Sequence, residues 1–230
     1  CARGRADGWP DAAQNGGRKR VMFGLWDRYV LPPLISCACS SKPMMKQREK
    51  TVPEADGVVL EIGCGCGTNF EFYDAEKIKH LHAVEPHAPM VERAKKEMAE
   101  GDYAFSSDIY ECGAEAVPLE DGSVDTAVVT FVLCTNPDWQ ASLRELRRVL
   151  KPSGKVLFSD HGLAPDEGVA KWQRRVEPLW KRMAGGCHLT RDTKTMLEAE
   201  GFKLDRYDTM YLPSTPRIAG FASWGSAGVA

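Results

Sequence analysis

Val58-Val-Leu-Glu-Ile-Gly-Cys-Gly-Cys-Gly-Thr-Asn69 decides the fold. Val58 to Ile62 is a short apolar, β-branched run broken only by Glu61, and Gly63, Gly65 and Gly67 follow at alternate positions. The pattern predicts a buried strand running into a tight turn that opens a helix. Glycine is required where the backbone takes positive φ or where a ligand must touch the main chain, so this density points to a loop pressed against a cofactor. The spacing is neither the dinucleotide G-x-G-x-x-G nor the phosphate-binding G-x-x-x-x-G-K-[ST], which disfavours a pyrophosphate cradle.

Downstream, His80-Leu-His-Ala-Val-Glu85 reads as a second strand ending on a carboxylate. An acidic side chain at the tip of the second strand of a βαβ unit is placed to accept both hydroxyls of an adenosine ribose. Glu61, the glycines and Glu85 together specify a nucleoside cofactor.

These residues, with Gly113-Ala-Glu-Ala-Val-Pro118 and Asp121-Gly-Ser-Val-Asp125 ahead of a hydrophobic strand, resemble the class I S-adenosylmethionine-dependent methyltransferases over about residues 55–160. The resemblance implies S-adenosylmethionine as cofactor and S-adenosylhomocysteine as its product. It places Tyr29, Glu61, Gly63, Cys64, Gly65, Cys66, Gly67, Asn69, Phe70, Glu85, Pro86, Met90, Ala114, Glu115, Phe131, Val132 and Leu133 around that cofactor. Asp160-His161, the Trp-rich stretch after it and Gly186-Cys-His-Leu-Thr-Arg191 are similar to the methyltransferase-like group that contains the microsomal alkyl thiol S-methyltransferases and bacterial relatives.

The rest of the chain extends the same alternation. A helix over His87–Glu100 buries Met90, Val91, Ala94 and Met98. Strands follow at Tyr103–Tyr110 and Val124–Leu133, and Asn136-Pro137 suits the start of the next helix. Lys151-Pro-Ser-Gly154 reads as a turn into a fifth strand, Lys155–His161. Next comes a helix with Val169, Trp172, Val176, Leu179, Trp180 and Met183 on one core face, bent at Pro178, and then a helix capped by Thr190 and ending at Gly201. Phe202–Leu212 and Arg217–Trp224 close the chain as an antiparallel hairpin. The expected fold is α/β, doubly wound and Rossmann-like, with a seven-stranded, mostly parallel sheet and an antiparallel edge hairpin.

Residues 1–50 carry ten Lys/Arg against four Asp/Glu, although the whole chain has a net charge of −2. The expected organisation is a flexible basic terminus over 1–20, a helical lid over 21–50 and the methyltransferase domain over 51–230. The apolar runs Val21–Trp26 and Tyr29–Ile35 are interrupted by Asp27, Arg28 and Pro32-Pro33, too short to span a membrane, and no signal peptide is read. They suit a lid over the cofactor or peripheral contact with a membrane interface. Cys37/Cys39 and Cys64/Cys66 are C-x-C pairs rather than the C-x₂₋₄-C of structural zinc sites, so the reading is no metal and free thiols in a reducing, cytoplasmic setting.

Methyl transfer from a sulfonium asks mainly for positioning, and a thiol acceptor needs only modest help to lose its proton. His161, at the carboxyl end of the fifth strand, is the expected acceptor-side base or orienting group, with His188 a second wall of the pocket. The expected acceptor is a small molecule, a thiol or related chalcogen nucleophile. N- or C-methylation of a phospholipid headgroup or quinone is the alternative within the class, and an inactive cofactor-binding assembly protein the alternative outside it. A basic-aromatic nucleic-acid module is absent from the sequence, so no nucleic-acid partner is expected, and the chain reads as a monomer or weak homodimer.

Overall fold

A computed structural model describes residues 41–230. Tyr29, Cys37, Cys39, the basic terminus and most of the expected lid lie outside the described residues.

Seven strands form one sheet in the order β3-β2-β1-β4-β5-β7-β6. They are β1 Gly57–Ile62, β2 Ile78–Glu85, β3 Ser107–Glu111, β4 Val124–Thr130, β5 Leu150–His161, β6 Phe202–Tyr211 and β7 Phe221–Val229. β1 to β5 run parallel; β7 is antiparallel to β5 and to β6. The strand order reverses between β1 and β4, and the crevice at such a switch point, beyond the strands' carboxyl ends, is where open α/β sheets bind ligands.

The helices are α1 Lys42–Thr51, α2 Ala88–Glu100, α3 Trp139–Val149, α4 Glu167–Met183, α5 Thr193–Ala199 and α6 Arg217–Gly220. Two apolar cores cover the two faces of the sheet. One packs Leu60, Val129, Leu143, Leu146 and Phe158 under α3, and the other packs Val59, Phe70, Leu81, Ala94 and Val128 under α2. Both faces of β1 and β4 are therefore buried, which is why these strands read as continuous apolar runs rather than alternating ones.

Several expectations are corrected. The helix expected after the glycine loop is only a 3₁₀ turn, Phe70–Phe72; few residues separate Gly67 from β2, and buried Phe70 and Tyr73 anchor them. β3 is shorter than expected, because Tyr103 and Phe105 pack against the second core instead of pairing. β4 stops at Thr130, where Phe131 turns left-handed at φ 57°. Asp138, accepting the Ala141 N–H at 3.1 Å, caps α3 in place of Asn136. Asp192 caps α5 in place of Thr190, because its carboxylate reaches the Lys194 N–H. The expected turn at 151–154 is a register slip inside β5: Val124 pairs with Leu150 and Thr126 with Lys155.

The closing hairpin is also shifted. Residues 217–220 form a helical turn behind Pro216, and the last strand begins at Phe221. α4 differs most. Trp172, Leu179 and Met183, expected in the core, are exposed by 58%, 63% and 58%. The helix instead buries Ala170 and Gln173. The Gln173 amide accepts from Ala164 N and donates to Gly162 O and Ile218 O, which fixes that face inward. Among the described residues no helix is long and apolar enough to cross a membrane.

Candidate functional site

The floor of the crevice is a buried polar network. Arg48, in the last turn of α1, donates from Nη1 to Asn69 Oδ1 at 2.6 Å and to Thr130 Oγ1 at 2.7 Å. Asn69 Nδ2 donates to Glu61 Oε1 at 3.0 Å and to Thr130 Oγ1 at 2.9 Å, and the Tyr73 hydroxyl donates to Glu61 Oε2 at 2.7 Å. Burial pushes the Glu61 carboxyl up to about 7 against the Tyr73 bond, the Arg48 charge and the Asn69 bond. α1 is thus a structural prop of the site, whatever the residues before it do. Asn69 and Phe70 are fully buried behind the loop, with Phe70 edge-on to Tyr103.

Above this floor the glycine loop turns on positive φ. At Gly63, φ 64°, a Cβ would lie 2.6 Å from Val132 Cγ2, so a side chain there would displace the β4–α3 connection. At Gly65, φ 57°, a Cβ would meet nothing within 4 Å. The loop is bare on that side, and Glu85 is bonded to its main chain. Its Oε2 accepts the Gly65 N–H at 3.1 Å and its Oε1 accepts the His87 N–H at 3.1 Å. Burial raises the Glu85 pKa, and those two backbone donors oppose the rise. A main-chain surface left open beside a carboxylate suits a nucleoside with an extended amino-acid tail. The site therefore fits S-adenosylmethionine, with Glu85 for the ribose and Gly63 to Gly67 for the tail. Cys64 is buried, and burial with the nearby Glu61 and Glu85 charges keeps it a thiol. Cys66 is half-buried.

The remaining expected cofactor residues fall on the segments around this crevice. Pro86 is exposed and Met90 half-buried, at the start of α2; Ala114 is buried and Glu115 exposed, after β3. Phe131 and Val132 are half-buried after β4, while Leu133 belongs to the core. The Arg48 guanidinium lies 5.1 Å from the centre of the Phe131 ring, linking floor and wall.

At the ends of β4 and β5 stands a second cluster. His161 Nε2 lies 3.0 Å from Cys187 Sγ, and Trp180 Nε1 donates to the same sulfur at 3.3 Å. Cys134 Sγ belongs to the group: the ligand atoms of Cys134, His161 and Cys187 all lie within 4.8 Å of one another. Asp160, 1% exposed, accepts the Cys134 N–H through Oδ2 and the His161 N–H through Oδ1. Hydrogen bonding to Cys134 and burial push the Cys187 thiol far up. Burial opposes a charge on His161; the Cys187 and Asp160 contributions outweigh it and lift the ring to about 9. His161 Nδ1 is buried with no hydrogen-bond partner among the described residues.

His188 belongs to the same corner. Its ring meets Glu177 at 2.9 Å through Nδ1, and its backbone N–H donates to Cys134 O at 2.8 Å. Burial and the Arg191 charge lower its pKa, against the Glu177 bond. Arg191 donates to Leu133 O and, at 2.7 Å, to Asn136 O, fastening the 185–191 segment to the β4–α3 connection. The structure thus brings His161 and His188 to one edge, as expected. It adds Arg48 and Cys187, and it sets Cys134 beside His161. Arg48 falls in the segment expected as a lid, and Cys187 carries no recognisable metal-ligand spacing.

The methyltransferase domain family matches residues 60–158. The chain is 36% identical over 171 residues to the thiol S-methyltransferase TMT1B of Rattus norvegicus, covering 71% of this chain and 69% of that one. Against the Homo sapiens TMT1B it is 34% identical over 192 residues, covering 80% and 78%. Among solved structures, a SAM-dependent methyltransferase from Aquifex aeolicus superposes with a TM-score of 0.61 at 17% identity, covering 86% of this chain and 98% of that one. At that identity the likeness concerns the fold.

Proposed function

We propose that this chain, which belongs to the class I S-adenosylmethionine-dependent methyltransferases in the group that contains the thiol S-methyltransferases, methylates the sulfur of a small-molecule thiol. The observation that carries the thiol is the likeness to the two TMT1B proteins, which runs well past the matched methyltransferase domain. S-adenosylmethionine supplies a methyl group on a sulfonium sulfur. Glu85 and the Gly63–Gly67 loop hold it, and the Arg48–Asn69–Glu61–Tyr73 network keeps that loop in register.

A thiol acceptor must give up its proton before its sulfur can attack, and with a pKa of about 8.5 it does so with little help. His161 is proposed as an orienting group rather than a free base: Nε2 already faces Cys187 Sγ, and Nδ1 is buried. His188, held by Glu177, is proposed as a wall of the acceptor pocket.

The test is a panel of acceptors presented to the full chain with S-adenosylmethionine: an alkyl thiol, an aryl thiol, an amine, a phenol, a quinol and phosphatidylethanolamine vesicles. Release of S-adenosylhomocysteine and the mass of the methylated product are read. Turnover with thiols and not with oxygen, nitrogen or carbon acceptors is expected. Turnover of the quinol or the lipid amine with inert thiols would overturn the thiol, and cofactor binding without any turnover would favour an inactive cofactor-binding protein.

A further inference from the structure

The Cys134–His161–Cys187 cluster is built from three separate elements. Cys134 lies in the β4–α3 connection, His161 ends β5, and Cys187 lies in the loop between α4 and α5. The loop is shaped for its task. Gly185 and Gly186 take φ 60° and 85°, Cys187 N donates to Ala184 O at 3.1 Å, and His188 N ties the turn to Cys134 O at 2.8 Å. The outcome is two sulfurs and an imidazole nitrogen converging from three directions. Simple burial of a thiol does not require that.

We propose that Cys134, Cys187 and His161 are three ligands of a zinc site whose fourth position is left to an exogenous ligand. A tetrahedral zinc with Zn–S near 2.3 Å and Zn–N near 2.0–2.1 Å holds its ligand atoms about 3.5–3.8 Å apart. Here the three atoms lie within 4.8 Å of one another and the Nε2–Sγ pair at 3.0 Å, so side-chain shifts of about half to one ångström reach that geometry. Two thiolates and an imidazole are the donor set that soft thiophilic cations select, and three protein ligands with one open position is the arrangement of catalytic rather than structural zinc. Among the described residues no fourth His, Cys, Asp or Glu joins the group. Binding releases the two thiol protons to solvent. The formal charges of the two thiolates and Asp160 are then cancelled by the cation and the neighbouring Arg191, so a buried site carries no net charge. The Trp180 N–H on Cys187 is the kind of outer contact that steadies a metal-bound thiolate.

His80, His82 and Asp108 also converge, but on the surface, where His80 Nε2 is already paired with Asp108 at 3.0 Å. The buried cluster is the stronger site. Resting on the thiol reading above, the fourth position is where the acceptor sulfur binds, its proton passing to solvent because a zinc-held thiol is deprotonated outright.

The full chain, purified with a phosphine reductant, is loaded with zinc, passed into metal-free buffer and analysed for metal; about one zinc per chain is expected. The cobalt-substituted chain should show tetrahedral ligand-field bands and thiolate-to-cobalt charge transfer. Cys134→Ser and Cys187→Ser should each weaken zinc binding by more than the roughly 10- to 100-fold that loss of an outer contact costs, while Cys112→Ser, away from the cluster, leaves it unchanged. S-adenosylmethionine affinity serves as the check that each variant is folded. No stoichiometric metal in the reduced chain overturns the site, including a case where the two cysteines prove joined as a disulfide. Zinc kept by both serine variants overturns it as well. Adding an alkyl thiol should shift the cobalt bands. Bands that do not move overturn the acceptor position alone, and the acceptor panel then judges the thiol reading separately.

Discussion

Glu85 Oε2 accepts the Gly65 N–H at 3.1 Å, so the carboxylate that ends β2 is tied to the middle of the glycine loop. The same carboxylate is the group expected to receive the ribose hydroxyls. Glu85→Ala should therefore weaken S-adenosylmethionine binding by one to two powers of ten, about 1.4–3 kcal/mol. Isothermal calorimetry on the folded variant measures it, and unchanged affinity would remove Glu85 from the cofactor site.

Gly63 and Gly65 separate two roles of the loop. Gly63→Ala drives a Cβ to 2.6 Å from Val132 and keeps a strained φ, so both stability and cofactor affinity should fall, stability by about 1–3 kcal/mol. Gly65→Ala meets no protein atom within 4 Å, so its stability cost should be only the left-handed backbone, about 1 kcal/mol, while affinity drops at least tenfold. Urea titration and calorimetry on both variants check this. Unchanged affinity in Gly65→Ala would mean that the open side of the loop is not the cofactor side.

Glu61 makes a pH prediction. Its folded pKa, about 7, lies above the ordinary 4.5 because burial favours the neutral acid. The folded state therefore holds a proton that the unfolded chain has lost between those values, and stability contributed by this group is present below about 4.5 and lost as pH rises through about 7. The full span amounts to about 3 kcal/mol. Glu61→Gln should flatten that slope, and the difference in unfolding free energy between wild type and variant, measured from pH 5 to pH 8, should change in the variant's favour. A difference independent of pH would mean that Glu61 is ionised throughout.

Truncation distinguishes the lid from the prop. Residues 41–230 contain both cores, so a chain lacking 1–40 should fold and bind S-adenosylmethionine, with turnover lost if the removed residues close the acceptor pocket. Removing 1–51 also takes Arg48 from Asn69 and Thr130, and cofactor affinity should then fall at least tenfold. Circular dichroism and calorimetry on the two truncations decide it. Full turnover without residues 1–40 would refute the lid.

The sequence by itself determined the sheet and the cofactor. A β-branched run, three alternate glycines and a carboxylate at the next strand's end are local signals, because backbone conformation at Gly63 and Gly65 and the in-out requirement of β1 and β2 are written in adjacent residues. Local signals failed where long-range packing chose between them. α4 carries a clear apolar stripe, yet Gln173 is buried and Trp172 exposed, since three backbone groups of neighbouring loops needed an amide more than the core needed an indole. The acceptor edge depended on tertiary structure still more. Cys134, His161 and Cys187 belong to two connections and a strand end whose contact is made by the sheet order and by the clamp of Arg191 on Leu133 and Asn136. Periodicity and motif spacing record neighbours along a chain, whereas a site assembled across strand ends is specified by topology. Arg48 shows the same physics: it falls in the segment expected as a lid, and only the fold, by bringing Asn69, Thr130 and Glu61 around it, makes it part of the floor.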